Sequence, residues 1–201
     1  VIQEADLRAL SAGTTTDALF DMVARLRKEI DTPFIFMTYM NPIYVYGTER
    51  FMERCAVVGI DGVIVPDVPF EEKAELSGAC KKYGIDLISM IAPTSKERIE
   101  RIAKEAEGFI YCVSSLGVTG VRSEITTDIG AMVQHVKAVT DTPVAVGFGI
   151  STPEQAKKMA ALSDGAIVGS AIVKLVAKYG KEAALYITDY VKDMKEAVLN
   201  A

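Results

Sequence analysis

Histidine is almost missing from this chain, cysteine is sparse, and no apolar run is long. There is one histidine and there are three cysteines among 201 residues. His135 lies mid-helix in Gln134-His135-Val136, and Ala138 and Val139 offer no second ligand at i+3 or i+4. A histidine-based metal site is therefore disfavoured, and His135 reads as a helix-surface residue. The cysteine count is odd and no Cys-x-x-Cys is present, which argues against a disulfide framework and suits a reducing cytoplasm. Cys55 and Cys80 fall on predicted helices and Cys112 in a predicted strand, so all three read as core residues. The longest apolar stretches are far short of the roughly 20 residues needed to cross a bilayer. The opening Val1-Ile2-Gln3-Glu4-Ala5-Asp6 shows neither a basic n-region nor an apolar h-region, so no secretory signal is expected. The 22 basic and 27 acidic residues are spread along the chain without a Lys/Arg-rich patch, which leaves nucleic-acid binding unsupported.

What is present is apolar and strictly alternating. Half of the residues are hydrophobic, enough for a large buried core. Strands are expected at Phe34–Met40, Gly62–Val65, Asp86–Ile91, Phe109–Val113, Val144–Phe148 and Ala166–Val168. They are continuous apolar runs, the pattern of parallel strands buried on both faces. Between them lie helical patterns: Ile129, Met132, Val133 and Val136 share one face, as do Ile187, Val191, Met194 and Val198. Junctions repeat as well. Asp31-Thr32-Pro33 and Asp141-Thr142-Pro143 each precede a strand, and Gly59 and Gly84 stand where helix C-caps are expected. No linker breaks the series, so residues 1–201 read as one α/β domain.

Six strand–helix units are countable, against eight in a closed (β/α)8 barrel. The chain also opens inside an amphipathic segment, Ile2 to Leu10, with no strand before it. The reading is either a six-stranded open sheet or a barrel whose first two units are absent. Three glycine turns favour the barrel, because such folds commonly build a phosphate site from their last loops. The turns are Gly117-Val118-Thr119-Gly120, Gly147-Phe148-Gly149 and Gly169-Ser170, after three successive expected strands. Glycine lets the backbone approach a ligand closely, and a helix opening at Gly169 offers N–H groups and a positive dipole end to an anion. The polar stretch Val121 to Thr127 is expected to act as a mobile lid.

Parallel α/β folds gather function at the carboxyl ends of their strands. Ionisable groups are scarce there. No lysine lies in or immediately after an expected strand, which disfavours Schiff-base chemistry. Asp67 is the only carboxylate at a strand terminus; it is either a general acid/base or an N-cap for a helix beginning near Phe70. The remaining strand-end residues are apolar or aromatic: Met37, Tyr39, Ile64, Met90, Tyr111 and Phe148. Phosphate at one end and an apolar pocket at the other imply a flat hydrophobic ligand with a phosphorylated tail.

At this point the sequence resembles the tryptophan synthase alpha family. The carrying segments are Ile2-Gln3 with Asp6-Leu7-Arg8-Ala9, Tyr39-Met40-Asn41-Pro42, Gly62 through Pro69, Tyr111 with Gly117-Val118-Thr119-Gly120, Gly147 through Gln155, and Gly169-Ser170-Ala171-Ile172-Val173. The resemblance implies a (β/α)8 barrel, strands 3–8 of which are represented in this chain. It implies retro-aldol cleavage of indole-3-glycerol phosphate to indole and glyceraldehyde 3-phosphate, a cytoplasmic lyase step of tryptophan biosynthesis. Gly120, Gly149, Gly169 and Ser170 would hold the phosphate. Met37, Ile64, Met90 and Phe148 would line the indole pocket, with Tyr39 and Tyr111 near the reacting atoms. Thr119 and Arg122 would belong to the lid, and Asp67 would stand behind the substrate contacts. No metal and no cofactor are implied in this subunit; pyridoxal phosphate belongs to the beta subunit of an α2β2 assembly, met through the segment around Asn41-Pro42-Ile43-Tyr44. The family's catalytic glutamate and aspartate are expected upstream of Val1, since Glu4 and Asp6 align with the helix after that loop. A non-catalytic barrel that binds a phosphometabolite and signals to a partner is the alternative.

Overall fold

Apolar runs become strands and amphipathic runs become helices along the chain. The computed structural model describes residues 1–113, 129–147 and 149–201. In chain order the elements are α1 (Ile2–Ser11), α2 (Thr16–Leu26), β1 (Ile35–Met37), α3 (Met40–Tyr46), α4 (Thr48–Val58), β2 (Gly62–Ile64), α5 (Ala74–Tyr83), β3 (Asp86–Leu87) and β4 (Ser89–Ile91). They continue as α6 (Lys96–Lys104), β5 (Ile110–Val113), α7 (Ile129–Lys137), β6 (Val144–Gly147), α8 (Pro153–Ala160), β7 (Gly165–Ile167), α9 (Ser170–Tyr179) and α10 (Ala183–Leu199). The sheet orders are β1-β2-β3 and β4-β5-β6-β7. The expected single strand Asp86–Ile91 is interrupted at Ile88, where its first part pairs with β2 and its last part joins the other sheet. Contacts divide the chain into two compact units. One holds Leu10–Met90 and Ala106–Gly108; the other holds Val1–Ala9, Ile91–Glu105 and Phe109–Ala201.

The first unit is organised by aromatic packing. Phe20 of α2 is fully buried and meets the rings of Phe36, Tyr46 and Phe51 at centroid separations of 5.2–5.6 Å. Gly59 and Gly84 end α4 and α5 in the left-handed conformation, as their positions after the apolar stripes imply. In the second unit β5, β6 and β7 are parallel, and every residue of β5 is buried. Ile129, Met132, Val133 and Val136 of α7 are all buried, the face expected of them. The corresponding stripe of α10 is covered less fully: Met194 is buried, whereas Val191 is exposed.

The repeated Thr-Pro junctions carry a repeated clasp. The N–H of Phe34, following Thr32-Pro33, donates to Asp61 Oδ2 at 2.7 Å, and Arg27 reaches the same oxygen at 2.6 Å. The N–H of Val144, following Thr142-Pro143, donates to Asp164 Oδ2 at 2.8 Å, and Lys137 lies 2.7 Å from Asp164 Oδ1. Each cation sits seven residues before the donor, and each aspartate directly precedes the glycine that opens the neighbouring strand. A carboxylate here satisfies an N–H at or just before the start of the strand and closes the helix–strand loop in one step. The exposed ion pair itself contributes little, about 0–1 kcal/mol.

The Lys137 ammonium and the Val144 N–H hold the Asp164 carboxyl below its usual range. A depressed folded value means stability present above the unfolded value, about pH 4, and lost as pH falls through the folded one. Asp164→Asn is therefore expected to flatten the loss of stability between about pH 4 and pH 2, read from urea midpoints at successive pH values. A variant that loses stability with acid as steeply as wild type would contradict this role.

Candidate active site

The carboxyl ends of β5, β6 and β7 put three of the expected groups in the second unit. Tyr111 of β5 is buried, and burial pushes its phenol up. Its ring lies over Gly147 at the end of the adjacent strand: a Cβ built on Gly147 would stand 2.5 Å from Tyr111 Cε2 and 2.6 Å from its hydroxyl oxygen. Gly147 thus makes room for the Tyr111 ring, a role its place in a glycine turn does not announce. Gly149 has φ of +90°, a conformation that L side chains rarely adopt, so the bend after β6 needs glycine there.

After β7 the chain enters α9. Gly169 is the N-cap, no side chain caps the helix, and a Cβ at Gly169 would meet nothing within 4 Å. The Gly169 carbonyl accepts from the N–H groups of Ile172 and Val173 at 2.9 and 3.2 Å. The N–H groups of Ser170 and Ala171, at the start of the helix, have no intrahelical acceptor. An uncapped start of a ten-residue helix is a ready acceptor of an anion. Gly117, Thr119, Gly120, Arg122 and Phe148 lie outside the described residues.

Two contributors escape sequence reasoning. Thr152 Oγ1 accepts the Gln155 N–H at 3.3 Å while Gln155 Oε1 accepts the N–H groups of Ser151 and Thr152 at 2.8 and 3.2 Å. This capping box fixes the chain just after Gly149, and its signal is the Thr-x-x-Gln spacing in Ser151-Thr152-Pro153-Glu154-Gln155. The Tyr190 hydroxyl of α10 adds a 2.9 Å hydrogen bond to the Ser151 carbonyl. Nothing in the sequence marks that contact, since it joins positions 39 residues apart.

In the first unit the expected strand-end residues divide. Ile64 is buried at the end of β2 and Met90 is half-buried. Met37 and Tyr39 are open, at 56 % and 64 % exposure. Asp67 does not cap a helix beginning near Phe70; the short 3-10 turn there is preceded by Pro69 and has no side-chain cap. Its two carboxylate oxygens instead accept the Met40 N–H at 3.0 and 3.2 Å, capping α3. The reason is geometric: β1 and β2 are paired in register, so the end of β2 stands beside the segment that leaves β1.

His135 is half-buried rather than a surface residue, with Nε2 3.2 Å from Glu100 Oε1 of α6. Among the described residues no three His, Cys, Asp or Glu side chains are grouped to hold a metal. Cys55, Cys80 and Cys112 are buried core thiols, pushed up to about 12, 11 and 12 by burial. As neutral thiols they are poor nucleophiles. No described helix is long and apolar enough to cross a membrane.

The second unit thus offers a helix start able to accept an anion at the end of β7; in the first unit, by itself, Asp67 is engaged by the Met40 N–H. A family model described as tryptophan synthase alpha chain matches residues 1–199. The tryptophan synthase alpha chain of Lacticaseibacillus casei is 48% identical over 198 residues, covering 98% of this chain and 74% of that one. The solved tryptophan synthase subunit alpha from Campylobacter jejuni superposes with a TM-score of 0.84 at 35% identity, over 98% of this chain and 77% of that one. A chain from the tryptophan synthase a2b2 complex of Pyrococcus furiosus superposes with a TM-score of 0.86 at 32% identity, over 97% and 79%. The fold class is α/β, that of the (β/α)8 barrels among these neighbours. The chain belongs to the tryptophan synthase alpha chain family.

Proposed function

We propose that the protein cleaves indole-3-glycerol phosphate to indole and glyceraldehyde 3-phosphate in tryptophan biosynthesis, and passes the indole to a beta subunit. Residues 1–201 are part of one (β/α)8 domain of a cytoplasmic lyase. The observation that carries the reading is the uncapped start of α9 at Gly169-Ser170, following the parallel strand β7 and a bend at Gly149 that only glycine suits. Gly120, Gly149, Gly169 and Ser170 bind the phosphate. Phe148, Met37, Ile64 and Met90 contact the indole, and Tyr39 and Tyr111 lie near the reacting bond. Thr119 and Arg122 act from a lid.

Breaking the C–C bond requires protonating indole C3, deprotonating the indole nitrogen, removing a glycerol hydroxyl proton and returning a proton to the nitrogen as the bonding electrons flow back into the ring. Placed acid/base groups contribute about 10²–10⁴ in rate each. Asp67, the carboxylate at the end of β2, accepts the Met40 N–H and stands behind the substrate contacts. The acid/base pair is a glutamate and an aspartate outside residues 1–201, and the groups described here bind and orient. Phosphate held far from the reacting bond supplies binding energy that fixes that bond in place. The chemistry draws on side chains alone, and pyridoxal phosphate serves the beta partner of an α2β2 assembly. That partner meets α3, where Tyr44 and Val45 stand 73 % and 76 % exposed.

The test is indole release by the full-length protein supplied with indole-3-glycerol phosphate. Indole forming in step with substrate loss supports the reading. Tight ligand binding with no indole, alone or with beta subunit, would point instead to a regulatory barrel.

A further inference from the structure

We propose that Asp67 is a positioning residue that holds α3 in the form its partner binds. The inference rests on the reading of α3 as the beta-subunit face. Three observations support it. Tyr39, the N-cap of α3, makes no side-chain capping bond, so the helix has no local cap. Both Asp67 oxygens accept the Met40 N–H instead, from 27 residues away. At the other end, the Tyr46 hydroxyl donates to Asp17 Oδ1 at 2.5 Å, and its ring packs against Phe20 and Phe51. Pinned at both ends, a seven-residue helix turns Tyr44 and Val45 outward and leaves Tyr39 at its start.

So short a helix has little stability of its own, because nucleation consumes most of its hydrogen bonds. Its order comes from the two pins together with the burial of Ile43, which is fully enclosed in the core. Losing the Asp67 pin leaves α3 to be ordered at the moment of binding, and that ordering subtracts from affinity. Asp67 thereby ties the carboxyl end of β2, where Ile64 sits, to the partner face.

The experiment uses the full-length protein and its beta subunit, with Asp67→Ala, Asp67→Asn and Met40→Pro. Asparagine keeps an acceptor oxygen. Proline at Met40 deletes the donor N–H at the first helical position, where proline is tolerated. Tyr39 already has φ of −75° and ψ of 164°, the conformation a following proline requires. In the free protein, Asp67→Ala and Met40→Pro are expected to raise amide exchange across Asn41–Tyr46 about tenfold, the scale of a lost cap. Asp67→Asn should stay within about threefold of wild type. The same two variants should weaken beta-subunit binding about tenfold, while glycerol 3-phosphate affinity stays within about twofold. Adding Asp67→Ala to Met40→Pro should cost nothing further, because the bond is already gone.

Wild-type exchange in a folded Asp67→Ala protein would overturn the proposal, as would full additivity in the double variant. If Asp67→Ala does not fold, Met40→Pro and Asp67→Asn still decide it. Loosened exchange with unchanged beta affinity would also overturn it. A wild-type protein that fails to bind beta at all would sink the partner reading instead; the exchange data would then still show whether Asp67 pins α3.

Discussion

Replacing Gly147 with alanine is expected to destabilise the protein by about 1–3 kcal/mol and to cut indole formation at least tenfold, in a full-length chain whose wild type is active. The new Cβ would fall 2.5 Å from Tyr111 Cε2 and 2.8 Å from Cζ, well inside contact distance. Tyr111 cannot move aside cheaply, because its ring is 8% exposed within the fully buried strand β5. Either the ring leaves its rotamer or β6 shifts away from β5, and both routes disturb a residue assigned to the substrate. Urea denaturation measures the stability loss. A second substitution separates this from a simple glycine effect: Tyr111→Leu removes the ring, so Gly147→Ala should cost much less in its presence. The two changes touch one another and should couple by about 0.5–3 kcal/mol. Strict additivity would show that the clash is not the cause.

The phosphate assignment yields the second large effect. Gly149→Val should reduce affinity for glycerol 3-phosphate at least tenfold in calorimetry, and it should also lower stability. A β-branched residue at φ of +90° is strained by about 1–3 kcal/mol, and its side chain would stand between the backbone and the proposed phosphate. The capping box behind it makes relaxation harder, because Ser151 is held by Gln155 on one side and by Tyr190 on the other. Unchanged affinity in a folded variant would remove Gly149 from the site.

Much of this was legible before any coordinates. The buried strands stand out because burial on both faces needs continuous apolar sequence, as in Ile110-Tyr111-Cys112-Val113. Gly59 and Gly84 mark helix ends because left-handed caps favour glycine. Gly149 and Gly169 stand out because glycine lets the backbone approach a ligand, and the structure gives them different jobs: one bends the chain, the other leaves a helix start open. What sequence could not reach are pairings between distant segments. An aspartate at a strand end can cap whichever helix lies nearby, and only the register of β1 on β2 selects Met40 over Phe70. A glycine two residues along from a tyrosine's strand partner gives no sign that it clears the ring. Tyr190 looks like one more residue of a helix stripe until its hydroxyl is found on Ser151.

If backbone donors at these strand–helix junctions bind a phosphorylated ligand, Gly169→Ala reveals it with the least interference. Gly169 has negative φ, and an added Cβ meets nothing of the protein within 4 Å, so the fold should tolerate the change to within about 0.5 kcal/mol. Calorimetric titration of the full-length protein with glycerol 3-phosphate, and with glycerol as the control, should show phosphate-dependent binding in wild type and at least a tenfold loss in the variant at unchanged melting temperature. Equal affinities for the two proteins, or heat of binding from glycerol that matches glycerol 3-phosphate, would mean that these backbone donors do not hold a phosphate.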